Sequence, residues 1–180
     1  SGTGKTTLAT AMAEAFGAKL LRTDVVRQEI FGTDSHAAQA DGGIYSPEAR
    51  ERVYEELFRQ TAALHADRIS VVIDGTFSTR EMLRKPQQLA VNPRSLFLAV
   101  ECVCRPEVAH QRISRRLTQG QDASDARPEI HDLQRQRWEA WPAEIPQVRI
   151  DTERPLNQQV DQVVAALAPL FSLDAPSVNP

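Results

Sequence analysis

Ser1-Gly2-Thr3-Gly4-Lys5-Thr6-Thr7 opens the chain and leaves it little choice of fold. Gly2 and Gly4 alternate with small hydroxyl residues, a lysine and two threonines follow, and apolar residues then recur at helical spacing. This is the back end of the Walker A pattern G-x-x-x-x-G-K-[ST]; its first glycine and the residue after it would fall before Ser1. Glycines let backbone N–H groups turn inward on phosphate oxygens where a Cβ would obstruct them. Lys5 would reach the β- and γ-phosphates, the Thr6 hydroxyl would ligate Mg²⁺, and Thr3 and Thr7 would complete the cradle. The helix that follows would aim its positive N-terminus at the same anions. The competing reading is a glycine-rich turn capped by threonine. Only 3 of the 21 cationic side chains are lysine, which argues against Lys5 as filler.

Such a loop sits between a strand and a helix, so the pattern predicts an α/β fold with a parallel sheet. The strand before the loop would lie upstream of Ser1. We therefore expect an interrupted sheet, whose neighbouring strands lack a partner between them and leave backbone groups unpaired.

The alternation along the chain supports that class. Leu8, Ala9, Met12, Ala13 and Phe16 give one helical face, closed by Gly17. Lys19 to Leu21 reads as a strand, Asp24 as the cap of a short helix ending near Gly32, and residues 33–46 as a mobile loop. Ser46-Pro47-Glu48 opens a long helix with a buried stripe at Ala49, Val53, Leu57 and Leu64, flanked by Phe58. Ile69 to Ile73 is a β-branched strand, followed by a helix over Thr79 to Ala90, a strand over Ser95 to Cys104, and a helix from Pro106 to about Leu117. Thr118 to Arg127 reads as a flexible segment, and a further helix ends near Trp138, where Trp138 and Trp141 pack. Val148 to Ile150 is the last strand. Val160, Val163, Val164, Leu167 and Phe171 give the last helix its apolar face. Strand and helix alternating in this way imply helices on both faces of the sheet. One domain is expected over residues 1–171, with a frayed tail over 172–180.

Composition excludes several classes. A net charge of −3 and a pI near 5.8 argue against a dedicated nucleic-acid binder. No apolar run approaches the ~20 residues of a membrane span. Cys102 and Cys104 share one face of a strand, and no second pair exists to complete a zinc site. Reduced thiols of this kind fit a cytoplasmic protein. His36, His65, His110 and His131 show no ligand spacing.

Beyond the loop, Val71-Val72-Ile73-Asp74 is a Walker B-like strand whose carboxylate would hold Mg²⁺ through water, or simply open a turn; Thr76 lies within reach. Asp24 is either a helix cap or a general base for an acceptor hydroxyl, with Arg27 one turn on to bind the acceptor's charge. Arg112 and Arg116 share a helix face leading into a polar stretch, as a lid over residues 112–128 would require; a solvated arginine face is the alternative. Thr152, after the last strand, either lines an adenine pocket or ends a turn.

Together Ser1–Thr7, Leu21-Arg-Thr-Asp24, Tyr45-Ser-Pro-Glu48, Val72-Ile-Asp-Gly-Thr-Phe77, Arg112-Ile-Ser-Arg115 and Asp122-Ala-Ser-Asp125 resemble the P-loop kinase-like AAA-type ATP-binding domain, found alone or fused behind an aminoglycoside phosphotransferase-like half. The chain is more distantly similar to polynucleotide kinases, gluconate-type kinases and zeta toxins. The resemblance implies ATP- and Mg²⁺-dependent phosphoryl transfer, an acid at Asp24 as base, and a lid bearing Arg112 and Arg116. The aminoglycoside kinase-like half is not in this chain, so antibiotic phosphorylation is not implied. The expected activity is transfer of a γ-phosphate to a hydroxyl of a small molecule. An ATP-binding regulatory module and a polynucleotide-end kinase are the alternatives.

Overall fold

A computed structural model describes residues 1–32, 43–90, 95–119, 132 and 135–173. Its elements alternate as α1 (Lys5–Phe16), β1 (Lys19–Arg22), α2 (Thr23–Phe31), a 3₁₀ turn (Gly43–Tyr45), α3 (Pro47–Ala66), β2 (Val71–Asp74), α4 (Arg80–Leu89), β3 (Ala99–Val103), α5 (Pro106–Gln119), β4 (Gln147–Asp151) and α6 (Leu156–Leu173). The expected α/β class with parallel strands is observed. Part of the segment read as a loop over 33–46 is ordered as the 3₁₀ turn. The rest of that segment, the lid over 120–128 and the tail from 174 lie outside the described residues.

Local chemistry accounts for the element ends. Gly17 ends α1 in the left-handed region (φ 60°), its N–H reaching back to the Ala13 and Glu14 carbonyls. The Ser46 hydroxyl accepts from the Ala49 N–H, and Pro47 fills the first position of α3. Thr79 caps α4 by accepting from the Met82 N–H. The β-branched run shortens on folding: β2 begins at Val71 rather than Ile69, and β3 at Ala99 rather than Ser95.

Among the described residues the strands form two parallel pairs, β1 with β2 and β3 with β4. Arg22 is the register partner of Asp74 in the first pair, and Val103 of Asp151 in the second. Each pair has its own core. Leu21, Val26, Val53, Tyr54, Leu57 and Phe58 bury the first against α2 and α3; Leu8, Ile150 and Val163 bury the second between α1 and α6. Leu64 is only partly buried, and Tyr54 and Thr61 join the interior of α3 instead.

A cleft of about 1240 Å³ lies between the two pairs, lined by Leu8 and Met12 of α1, Val71 and Ile73 of β2, and Val100 and Cys102 of β3. It accounts for a departure from the expected core. Phe171, read as part of an apolar face, is 67% exposed because it stands at this cleft, as does Phe16. Val164 is also exposed, outside the cleft lining. Cys102 and Cys104 are half-buried free thiols, and burial pushes Cys102 up to about 11. No helix among the described residues is long and apolar enough to cross a membrane.

Candidate active site

The loop is held in a shape that only glycine takes without strain. Gly2 (φ 74°) and Gly4 (φ 82°) both lie in the left-handed region. A Cβ on Gly2 would stand 2.7 Å from the Ala109 carbonyl oxygen and 3.0 Å from Ile113; one on Gly4 would stand 3.1 Å from the Thr152 Cβ. The loop is therefore pressed against α5 and the residue that follows β4. Gly4 has no side chain to cap α1, so the first-turn amides of that helix remain to meet an anion beside half-buried Lys5. Thr3 and Thr7 flank this turn, and Thr7 faces solvent.

From Thr6, the second residue of α1, the hydroxyl donates to Asp74 Oδ2 at 2.7 Å. Asp74 is the last residue of β2 and 7% exposed, so the two Walker elements, 68 residues apart in sequence, meet in the interior. Arg22 Nε lies 3.5 Å from the same carboxylate oxygen. A hydroxyl and a carboxylate side by side are hard oxygen donors suited to Mg²⁺. No group of three His, Cys, Asp or Glu among the described residues could hold a metal. Other ligands of a cation at this pair would thus come from phosphate and water.

Asp24 stands in the first turn of α2. The expectation that it caps this helix is corrected: Arg22 occupies the cap position without a side-chain bond, and Asp24 instead accepts from Arg27 Nη1 at 2.8 Å. Burial raises the Asp24 pKa above its ordinary value, Arg27 opposes that shift, and the charge of Asp74 adds to it. The Arg27 guanidinium lies 4.8 Å from the centre of the Tyr45 ring, a cation–π contact. Tyr54, whose phenol burial pushes well up, donates to the Thr76 carbonyl at 2.7 Å and sets its ring edge-on to Phe77. The Thr76 backbone is thus fixed at the end of β2, close to α2, where a Cβ on Gly75 would meet Thr23 at 2.8 Å.

Arg112 and Arg116 both belong to α5. Arg112 Nη1 donates to Thr152 Oγ1 at 2.9 Å and Nη2 to the Thr152 carbonyl at 2.8 Å. Arg116 lies one turn further on, towards the segment outside the described residues.

The structure thus gathers Gly2, Gly4, Lys5, Thr6, Asp74, Asp24 and Arg27 around the C-terminal ends of β1 and β2, and sets Arg112 and Thr152 against the loop from the other pair of strands. Sequence reasoning missed three contributors: Arg22, Tyr45 and Tyr54. A signal for Arg22 existed, since two parallel strands ending at Arg22 and Asp74 place those side chains next to each other. Tyr45 lies in the Tyr45-Ser-Pro-Glu48 stretch, which gave no hint of its contact with Arg27, and Tyr54 contacts a residue distant in sequence and left no local pattern.

A glycine loop running into a helix, with a carboxylate from the end of a parallel strand beside it, is the arrangement of a P-loop α/β fold. The chain belongs to the AAA-domain family, which matches residues 1–141. It is 32% identical over 164 residues to an uncharacterized protein of Mycobacterium tuberculosis, and equally to one of Mycobacterium bovis; the match covers 89% of this chain and 32% of each relative. The chain therefore spans about a third of the length of these curated relatives. Among solved structures it is similar to a gluconokinase from Sinorhizobium meliloti 1021, with a TM-score of 0.69 and 22% identity over 94% of this chain and 88% of that one. A sugar kinase from Janibacter sp. HTCC2649 gives a TM-score of 0.70 at 21% identity, over 93% and 90%. The Mycobacterium tuberculosis APS kinase CysC, in complex with AMPPNP and APS, gives 0.62 at 18% identity, over 93% and 92%. These likenesses establish the shared fold.

Proposed function

We propose that the protein is an ATP- and Mg²⁺-dependent phosphotransferase that moves the γ-phosphate to a hydroxyl of a small molecule. The observation that carries this reading is the 2.7 Å contact between Thr6 and Asp74, with Asp24 close enough for the two carboxylates to feel each other's charge. Lys5 and the Gly2–Thr7 backbone hold the β- and γ-phosphates. Thr6 and Asp74 would hold Mg²⁺, which would supply charge neutralisation at the phosphate oxygens. Asp24 takes the proton from the acceptor hydroxyl, the acceptor oxygen bonds to the γ-phosphorus, and the bond from that phosphorus to the β,γ-bridging oxygen breaks to release ADP. Arg27 and Thr76 orient the acceptor. Arg112 and Arg116, one turn apart on α5, stabilise charge developing on the transferred group.

The structural neighbours whose names specify small-molecule substrates support a small-molecule acceptor, and the acidic balance of this chain weighs against a polynucleotide end. The relatives' greater length is consistent with a parent protein carrying a second half, such as the aminoglycoside phosphotransferase-like one implied by the family resemblance. The cleft between β2 and β3 supports the further proposal that one more parallel strand, leading into Ser1, belongs there: both facing edges and the α1 side chains above them are apolar.

Asp24→Asn tests the transferase reading against that of an ATP-binding regulator. Transfer of ³²P from ATP to a panel of sugars, sugar acids and nucleosides should be abolished while nucleotide affinity is retained. Undiminished transfer by the variant would overturn the role of Asp24.

A further inference from the structure

Thr152 is a junction. Its N–H donates to the Val103 carbonyl at 2.9 Å, carrying the β3–β4 ladder one residue beyond Asp151. Its carbonyl accepts from Arg112 on α5 and, at 3.4 Å, from Gln159 Nε2 on α6; Gln159 is itself buried. Its hydroxyl accepts from Arg112 Nη1 and donates to the Thr3 carbonyl at 2.9 Å, with the Val103 carbonyl a longer alternative at 3.2 Å. The residue is 5% exposed, and its Cβ fills the space that a side chain on Gly4 would need.

We propose that Thr152, held by Arg112, is a positioning residue for the phosphate loop, acting through the Thr3 carbonyl rather than by touching a nucleotide. A carbonyl in a tight loop faces opposite to the N–H of its own peptide unit. Holding the Thr3 oxygen towards β4 therefore turns the Gly4 N–H the other way, away from the strut. With Oγ1 accepting from Arg112 Nη1, its single proton is left to donate, and the Thr3 carbonyl at 2.9 Å is nearer than that of Val103 at 3.2 Å. Such a strut prepays the ordering of the loop before a ligand arrives.

The inference rests on the reading that the loop holds a triphosphate, and the probe is chosen to keep the two separable. Magnesium tripolyphosphate carries the phosphates without a base, so its affinity reports the loop alone. Titration calorimetry with tripolyphosphate and with ATP should show the same loss for both in Thr152→Val, about 3- to 10-fold, as expected for one buried hydrogen bond. Thr152→Ser, which keeps the hydroxyl, should restore affinity for both. Arg112→Lys should lose affinity in the same proportion for the two ligands and add little to Thr152→Val, because the two side chains form one unit. If Thr152→Val does not fold, Arg112→Lys carries the comparison. A loss confined to ATP would place Thr152 at the base and overturn the strut, as would unchanged affinity for both ligands. Failure of the unaltered protein to bind either ligand would instead defeat the phosphate-loop reading.

Discussion

Substituting alanine at Gly2 separates the cost of backbone shape from the cost of packing, because the structure supplies an internal control. Gly2 and Gly17 both sit in the left-handed region, at φ 74° and 60°. For a non-glycine residue that conformation costs about 1–2 kcal/mol. A Cβ at Gly17 meets nothing within 4 Å, so Gly17→Ala should cost that amount and no more. At Gly2 the new carbon would stand 2.7 Å from the Ala109 carbonyl and 3.0 Å from Ile113, both in the buried face of α5. Helix backbone cannot rotate away as a flexible side chain can. Forcing it aside adds about 1–3 kcal/mol of overpacking, so Gly2→Ala should cost about 2–5 kcal/mol in all. Urea unfolding followed by circular dichroism reads both variants, provided that the slope of the transition is unchanged. Gly2→Ala should also lose tripolyphosphate affinity while Gly17→Ala keeps it. Equal destabilisation of the two would show that the loop is not wedged against α5, and the account of the site would have to be rebuilt.

Three further outcomes follow from the same geometry. Asp24 has its folded pKa raised by burial, so the folded protein binds that proton more tightly than the unfolded chain; stability from this group is present below the ordinary value of 3.8 and declines as pH rises through the raised folded value, a slope that Asp24→Asn should remove from urea titrations carried upward from pH 3.8. Activity runs the opposite way, since a base must be unprotonated: the acid limb of kcat/KM for the free protein should lie above 3.8. Thr6→Val should make nucleotide affinity indifferent to magnesium while Thr6→Ser preserves the response; retained magnesium dependence in the valine variant would remove Thr6 from the metal site. Tyr54→Phe removes the hydroxyl partner of the half-buried Thr76 carbonyl and should cost about 0.5–1.5 kcal/mol in urea unfolding.

The parts of this molecule that were legible in its sequence are those whose chemistry is local. The loop needs Gly2, Gly4 and Lys5 within a few residues, and the caps Ser46 and Thr79 act on amides three positions away, so spacing alone points to them. Asp74 was legible because a β-branched run ending in a carboxylate, in a chain that opens with a phosphate loop, fits the Walker B pattern. What spacing could not show is which partner a side chain chooses when two are in reach. Asp24 has the position of a cap, yet it accepts from Arg27, and that preference depends on Arg22 having already taken the cap site as the end of β1. Arg112 reads as a lid residue from its helix and its charge, but α5 packs so closely on Gly2 that the guanidinium meets Thr152, 40 residues on. The exposure of Phe171 was illegible for another reason: periodicity identifies an apolar face, not whether a neighbour covers it.

The loop is also where the two strand pairs are tied to each other. On one side Thr6 is bonded to Asp74, at the end of the pair formed by β1 and β2, whose core is built with α2 and α3. On the other side Thr3 is bonded to Thr152, at the end of the pair formed by β3 and β4, whose core is built with α1 and α6. Three residues of backbone therefore span from one half to the other above an apolar cleft, and no ladder joins β2 to β3 among the described residues. A loop held from both sides takes its shape from the distance between the halves, so whatever fixes that distance also sets the phosphate cradle. Filling the cleft with a strand would do so through backbone hydrogen bonds and by covering the part of Val71, Ile73 and Val100 not yet buried, at about 25 cal/mol per Å² of apolar surface. The bonds at Thr3 and Thr6 cannot both be kept if the two strand pairs drift apart.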